Sequence, residues 1–192
     1  MGVDPFDARF FSFREQLLAQ FQSAANLPTP EPPKGKVLVN LDNGTFEVGA
    51  KGQRLRPPRP ADFLTYQLPF GYDPKATAPE FQSYLDKMQP DKARQLILAE
   101  CIGSLFVETS TLKLEKVPLL YGTGANGKSV YFDTVNALLG GEANVSSYTL
   151  QQLTDENGYY RAKLGNKLVN YASEINGKMD ASIFKALASG EP

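Results

Sequence analysis

The residue types best suited to chemistry stand in one short run, Gly122-Thr123-Gly124-Ala125-Asn126-Gly127-Lys128-Ser129. The run fits G-x-x-x-x-G-K-[ST], the pattern of phosphate-binding loops. Its glycines let the backbone curl until several N–H groups point at one anion. Lys128 would place a cation against the β and γ phosphates of a nucleotide, and the Ser129 hydroxyl would ligate Mg²⁺. The run therefore predicts a site for ATP and Mg²⁺.

The flanking sequence predicts the elements that would position this loop. Residues 117–121 are mostly apolar and predict a short buried strand before it. After it, apolar residues recur at i, i+4, i+7 and i+8 and predict a helix that ends at Gly140-Gly141: Tyr131, Val135, Leu138 and Leu139. The positive N-terminal end of that helix would face the phosphates. The alternative is a glycine-rich turn without a ligand, in which Lys128 and Ser129 would serve no purpose.

A carboxylate is the second requirement of such a site. Residues 167–175 predict a buried strand that ends near Glu174. Glu174 could hold Mg²⁺ through water and polarise the attacking water molecule. Ser173 stands where many phosphate-loop enzymes carry an Asp, which weakens the metal-binding half of the prediction. The alternative is an ordinary charged residue at the end of a strand.

Composition narrows the chemistry further. The 192 residues include no His and one Cys, Cys101. The absence of His excludes catalytic triads and metal sites that need it, and a single Cys makes a zinc site unfavourable. The groups that remain are carboxylates, Lys, Arg, hydroxyls and bound Mg²⁺, which are the groups that phosphoryl-transfer enzymes use. The net charge of −1 argues that any contact with DNA is local. The chain has no signal peptide and no long apolar run, so we expect a cytoplasmic protein without a membrane partner.

The chain divides into four predicted regions. Residues 1–35 hold a helix at 11–25 and a proline-rich linker, and residues 36–75 hold a β-hairpin at Asn43-Gly44 and a connecting segment. Residues 76–110 form a helical collar, with helices that start at Pro79 and at Pro90-Asp91, and residues 111–192 form a partial ATPase core. A basic cluster fits either a solvated loop or a contact with nucleic acid or a partner protein: Lys51, Arg54, Arg56 and Arg59.

From Asn43 to Pro192 the chain resembles the helicase part of the phage, plasmid and poxvirus helicase–primase family, within the superfamily III helicases. The resemblance is carried by segments Asn43-Gly44, 66–74 (Tyr-Gln-Leu-Pro-Phe-Gly-Tyr-Asp-Pro), 122–129, 164–169, Ser173-Glu174 and 184–192. Residues 1–35 lie outside it and would join an upstream primase or another module.

The resemblance implies an α/β fold, namely an AAA+-like P-loop NTPase core that is incomplete at its C-terminus and follows a small α+β and helical collar. It implies an ATP-dependent replicative DNA helicase that assembles into a ring, usually a hexamer. Lys128 and Glu174 would then be catalytic, Ser129 and Glu174 would hold the metal, and the segment from Lys185 would open a hairpin that faces DNA. Lys185 would contact the phosphate backbone, or would be an ordinary surface lysine of a helix.

The family's pattern continues beyond the hairpin segment with a further core strand and an arginine that reaches a neighbouring subunit, so we expect a fragment that hydrolyses ATP poorly. Two other functions stay open. One is a non-catalytic interaction or oligomerisation module of a replication protein, which would ignore Mg-ATP. The other is a P-loop kinase for a small molecule, which would need an arginine-rich lid that the sequence does not contain.

Overall fold

The computed structural model describes residue 4 and residues 6–25, 33–107, 112–175 and 178–190. The chain divides into two units, Met1–Glu31 and Pro32–Pro192. In the first unit a 3₁₀ turn, Asp7–Arg9, precedes helix α1, Phe11–Ala24. The predicted N-terminal helix is thereby confirmed, although none of its residues is buried. Most of the predicted proline-rich linker lies outside the described residues.

The second unit begins with a three-stranded antiparallel sheet. Its strands are β1, Lys36–Leu41, β2, Gly44–Gly49, and β3, Gly52–Arg56, in the order β1-β2-β3. The register pairs Leu41 with Gly44, so Asp42 and Asn43 form the turn of the predicted hairpin. Gly44 has φ +144°, and a Cβ there would lie 2.5 Å from the carbonyl oxygen of Arg56. Only glycine fits this position, because φ and the neighbouring strand both exclude a side chain.

The hairpin turn is tied to the segment around residues 66–72. The Asn43 side chain donates to the Tyr72 carbonyl (3.0 Å) and accepts from the Tyr72 amide (2.9 Å). Leu68 donates its amide to the Asn40 carbonyl at 2.9 Å and forms a β-bridge with Leu41. The segment from Tyr66 to Tyr72 thus packs along the first strand, although only a single bridge of it counts as sheet.

Three longer helices follow. They are α2, Pro79–Met88, α3, Lys92–Ser104, and α4, Lys128–Leu139. Pro79 occupies the first turn of α2, and the Asp91 side chain accepts from the amides of Ala93 and Arg94 at the start of α3, so both predicted helix starts are confirmed. Gly140 ends α4 in the left-handed conformation, as predicted. Across the part of the chain that the structure describes, no helix combines the length and apolarity needed to cross a membrane.

The remaining elements are short. They are β4, Val145–Ser146, α5, Leu150–Leu153, α6, Tyr159–Ala162, β5, Val169–Asn170, and α7, Ala181–Ser189. Strands β4 and β5 pair in parallel. Asn144 is 4% exposed, and its side chain donates to the carbonyls of Gln67 (2.9 Å) and Leu139 (2.7 Å). Asn144 therefore joins the segment beside β1 to the end of α4.

The hydrophobic core lies where these parts meet. Its buried residues are Leu41, Leu68, Leu139 and Val145, and Phe46, Tyr72, Phe132 and Val135 pack around them. The helix of the phosphate-binding motif is thus fixed to the core through Phe132, Val135 and Leu139.

The two strands predicted around the motif are wrong over most of their lengths. Residues 117–121 form no strand, and Leu119 and Tyr121 are 66% and 93% exposed. A strand needs a hydrogen-bonded neighbour, and within the described ranges no strand runs beside these residues. Of residues 167–175 only Val169–Asn170 pair, because β4 is equally short.

Asn170 is the last residue of β5 that pairs with β4. Its side-chain oxygen accepts from the Ser146 hydroxyl and from the Tyr148 amide, both at 2.9 Å, and its amide nitrogen donates to the Tyr148 carbonyl at 2.9 Å. A side chain here takes the backbone groups that a longer strand would have used, so β5 cannot continue along its neighbour.

Candidate phosphate-binding site

The glycine-rich run forms a loop that leads directly into α4. Gly127 is the residue before the helix and has φ +84°, and Ala125 also has a positive φ, +57°. The first amides of an α-helix have no acceptor within the helix. The backbone amides of residues 122–127 likewise donate to no carbonyl in the described part of the chain. The loop and the start of α4 therefore present a set of unsatisfied N–H donors at the positive end of a helix dipole.

Lys128 lies at the opening of the loop. Its ammonium group donates to the carbonyls of Gly122 (3.1 Å) and Thr123 (3.4 Å) and to the side-chain oxygen of Asn126 (2.7 Å). A Cβ on Gly122 would lie 1.9 Å from the side-chain nitrogen (Nδ2) of Asn126. Gly122 is therefore needed so that the Asn126 side chain can cross the loop and reach Lys128.

A cleft opens beside the loop. It has a volume of about 400 Å³ and is lined by Met88 at the end of α2, by Gln89 directly after it, by Leu98 on α3, and by Asn126 and Lys128, among others. Tyr131 also borders it, and its hydroxyl donates to the Leu98 carbonyl at 3.4 Å. Burial raises the pKa of Tyr131 to about 12, so its phenol stays protonated. The collar helices and the phosphate-binding motif thus share one surface.

The predicted metal ligands are only partly assembled. Ser129 is exposed in the first turn of α4, next to the open amides. Glu174 is exposed and is not among the acceptors of Lys128. The rings of Phe132 on α4 and Tyr171 stack with centroids 3.7 Å apart, which holds the chain leading to Glu174 against the same helix. Tyr171, three residues before Glu174, thus lies against α4, while Lys128 donates to the loop and not to Glu174.

The donor set matches a phosphate chain with Mg²⁺ better than a metal held by protein alone. Among the described side chains, no group of three or more His, Cys, Asp or Glu could hold a metal ion. Mg²⁺ is commonly bound by one or two protein oxygens together with substrate phosphates and water. The amides, the ammonium of Lys128 and the hydroxyl of Ser129 fit that arrangement.

Lys185 does not open a hairpin. It lies exposed in the middle of α7, whose start is capped by Asp180 accepting from the amides of Ser182 (2.8 Å) and Ile183 (2.9 Å). This cap, and the helix-favouring residues that follow it, make residues 181–189 helical. The end of the expected hairpin segment, residues 191–192, lies outside the described residues.

The basic cluster separates into two kinds of residue. The Arg56 side chain is 8% exposed and donates to both Asp62 oxygens (2.7 and 2.8 Å) and to Glu47 (2.9 Å). The guanidinium holds the pKa of Asp62 below its usual range, and its hydrogen bond does the same for Glu47. Arg56 thus stabilises the fold through its buried ion pairs, whereas Lys51, Arg54 and Arg59 are exposed.

Sequence reasoning missed one residue of the site, Tyr84 of α2. Its hydroxyl donates to the Gly127 carbonyl at 2.6 Å, although the two residues are 43 positions apart. No spacing in the sequence signals such a contact, because it arises only when α2 packs against the loop.

A glycine-rich loop with open amides, a lysine at its opening and a helix behind it is the arrangement of an anion-binding, phosphate-binding site. Two families match the chain. Residues 9–90 match the family described as D5 N terminal like, and residues 120–192 match a family of unknown function (DUF5906). No curated protein matches.

The first match is to the N-terminal region of phage and plasmid primase–helicase proteins, which are replication enzymes. It supports the resemblance to that family and a context of phage or plasmid DNA replication. The match begins at residue 9, so the expectation that residues 1–35 lie outside the resemblance is wrong for α1. The phosphate-binding loop and α4 fall in the second match, which carries no function.

Proposed function

We propose that residues 122–129 bind the phosphates of ATP together with Mg²⁺, as the nucleotide site of a phage- or plasmid-type replication protein. One observation carries the proposal: the amides of residues 122–127 have no acceptor in the described chain, while the ammonium of Lys128 lies at the opening of the same loop. A cation beside several open amides favours a bound anion over a plain turn.

Each residue has a distinct part in this proposal. The loop amides and those of the first turn of α4 donate to the phosphate oxygens, and Lys128 exchanges its contacts with the loop for contacts with the phosphates. Bound Mg²⁺ would neutralise phosphate charge and polarise the terminal phosphate, with Ser129 as its protein ligand. Glu174 would orient the attacking water once the chain after Tyr171 brings it over the loop.

The wider proposal follows the family resemblance. The chain would be part of an ATP-dependent DNA helicase with an AAA+-like P-loop core, which would assemble as a ring, expected to be a hexamer, and translocate on DNA. Lys185 is exposed on α7 and carries a charge that suits the phosphate backbone of DNA. A replication context and its expected contact with DNA are supported by the match over residues 9–90.

One observation favours the interaction module as a second candidate. Residues 112–121 form neither helix nor strand, and several of their apolar side chains are exposed, between 45% and 93%: Leu112, Leu114, Val117, Leu119 and Tyr121. Apolar surface of this kind often marks a protein interface. Such a module would not require Mg-ATP, so nucleotide binding separates the two functions.

The deciding experiment is a calorimetric titration of the chain with Mg-ATP. We expect binding, and we expect Lys128→Ala to weaken it about 10- to 100-fold, because a charge-assisted hydrogen bond contributes about 1.5–3 kcal/mol. Lys75→Ala is the matched control, since Lys75 is exposed and lies outside the loop. Equal affinity in the wild type and Lys128→Ala would contradict the proposal, and the absence of any binding would favour the interaction module.

A second experiment tests hydrolysis and DNA. For a longer protein that contains this chain, the helicase proposal predicts ATP turnover that single-stranded DNA stimulates, and a loss of that turnover in Glu174→Gln at nearly unchanged ATP affinity. Lys185→Ala should reduce the stimulation by DNA without changing turnover in its absence. Phosphoryl transfer to a small molecule, independent of DNA, would instead identify a kinase.

A further inference from the structure

The last glycine of the loop has its carbonyl held from two sides. The Gly127 oxygen accepts from the Tyr84 hydroxyl at 2.6 Å and from the Tyr131 amide at 3.1 Å. The second bond is the first hydrogen bond of α4, so Tyr84 contacts the peptide group at which the loop becomes a helix. The orientation of this group determines where the following amides point, because the backbone between neighbouring peptide planes has only two soft dihedral angles.

The same region is closed by packing. A Cβ on Gly127 would lie 3.1 Å from the Tyr84 ring, 3.2 Å from Met88 and 3.3 Å from the Tyr84 hydroxyl. Helix α2 therefore presses its Tyr84–Met88 face directly against the backbone of the loop. A left-handed residue with a bulky neighbour on one side cannot shift toward that neighbour, so α2 limits the conformations that Gly127 can adopt.

Tyr84 comes from a well-supported helix. Its ring stacks on that of Phe81, with centroids 5.8 Å apart. Further along α2, Asp86 accepts from the Gln95 side chain of α3 at 2.8 Å and pairs with Lys92, which ties α2 to α3. Burial raises the pKa of the Tyr84 phenol, which therefore remains a hydrogen-bond donor at neutral pH.

We propose that Tyr84 is a positioning residue for the phosphate site: its hydroxyl and ring hold the Gly127 peptide so that the amides at the start of α4 converge on one anion. The inference rests on the proposed function for its effect on binding. It also assigns a purpose to α2, since this helix falls in the match over residues 9–90 while the loop falls in the match over 120–192. The first region would thereby set the geometry of a site that lies in the second.

The test compares Tyr84→Phe, which keeps the ring and removes the hydroxyl, with Tyr66→Phe. Tyr66 is a matched control because its hydroxyl also donates to a backbone carbonyl, that of Leu38 at 3.1 Å, in the sheet. The first readout is amide hydrogen exchange resolved by NMR, without nucleotide. We expect the amides of residues 131–133 to exchange about fivefold faster in Tyr84→Phe, as follows from the loss of one hydrogen bond, while those of residues 136–139 are unchanged.

The second readout is the affinity for Mg-ATP and for magnesium tripolyphosphate. Both should weaken by about the same factor, roughly fivefold, in Tyr84→Phe and should be unchanged in Tyr66→Phe, because Tyr84 acts on the phosphate part of the site alone. If the Tyr84 hydroxyl contributed only to folding, as the Tyr66 hydroxyl does, each variant would have a lower melting temperature. The affinity of the folded protein for both ligands would then be unchanged.

The outcomes separate this inference from the function on which it rests. Unchanged exchange at residues 131–133 overturns the positioning role whether or not nucleotide binds. Faster exchange with unchanged affinity for both ligands also overturns it, because the loop would then bind without the support of α2. If the wild type binds neither ligand, the proposed function and its positioning residue both fail, and faster exchange would show only a structural contact.

Discussion

Replacing Gly127 with alanine should destabilise the chain more than the same change at Gly124 or at Gly141. Two effects add at this position. A residue other than glycine in the left-handed region costs about 1–2 kcal/mol, and Gly127 has φ +84°. The new methyl group would also lie 3.1–3.3 Å from Tyr84 and Met88, and overpacking of this kind costs about 1–3 kcal/mol.

Two other glycines separate these effects. Gly141 has φ +64° but no atom within 4 Å of its Cβ position, so Gly141→Ala reports the backbone effect alone. Gly124 has neither a positive φ nor a close neighbour. Because alanine restricts the unfolded chain, Gly124→Ala should be neutral or stabilising by about 0.5 kcal/mol. The same effect offsets part of the cost at the other two positions.

The expected order of stability is therefore Gly124→Ala above Gly141→Ala above Gly127→Ala. We expect losses of about 1 kcal/mol for Gly141→Ala and about 2–4 kcal/mol for Gly127→Ala. Urea denaturation followed by circular dichroism measures them. If Gly127→Ala lost no more stability than Gly141→Ala, the packing of α2 against the loop, on which the role of Tyr84 depends, would be refuted.

Two further perturbations test the fold that carries the site. Asn144→Ala should lower the free energy of unfolding by about 2–4 kcal/mol in urea denaturation, because it leaves two carbonyls without their donor, and a loss below 0.5 kcal/mol would contradict this. Because Arg56 lowers the folded-state pKa of Asp62, the stability that this pair contributes is complete above the ordinary value of 3.8 and is lost as pH falls through the lowered folded value. Unfolding free energies measured from neutral pH to pH 2 should fall less steeply below pH 4 in Asp62→Asn than in the wild type.

Local rules of sequence located the helices and turns. Proline at the first turn, an aspartate before a helix and a glycine after one determined the starts of α2 and α3 and the end of α4 because such signals act within a few residues of the backbone they cap. The same rules failed for residues 117–121. An apolar run indicates only that its side chains avoid water. A strand also needs a neighbouring strand to pair with, and the local sequence does not show where that strand lies.

The candidate site divides in the same way. Its loop, the lysine and the following helix could be read from eight consecutive residues, since the chemistry of that motif is local. The exposed position of Glu174 could not be predicted, because it depends on the ladder that Asn170 ends. Arg56 was a candidate for an outside partner on charge alone and proved to be buried between two carboxylates.

The sequence by itself determined the parts of the candidate site, because the glycine-rich loop, its lysine and the helix start follow one another directly along the backbone. Only the tertiary structure decided what holds that loop in shape: Tyr84 reaches Gly127 across 43 residues, and Asn144 fixes the far end of α4 to the segment beside β1. Contacts between residues distant in the chain depend on how apolar faces pack, and many pairings satisfy the same pattern of hydrophobic residues until the core selects one.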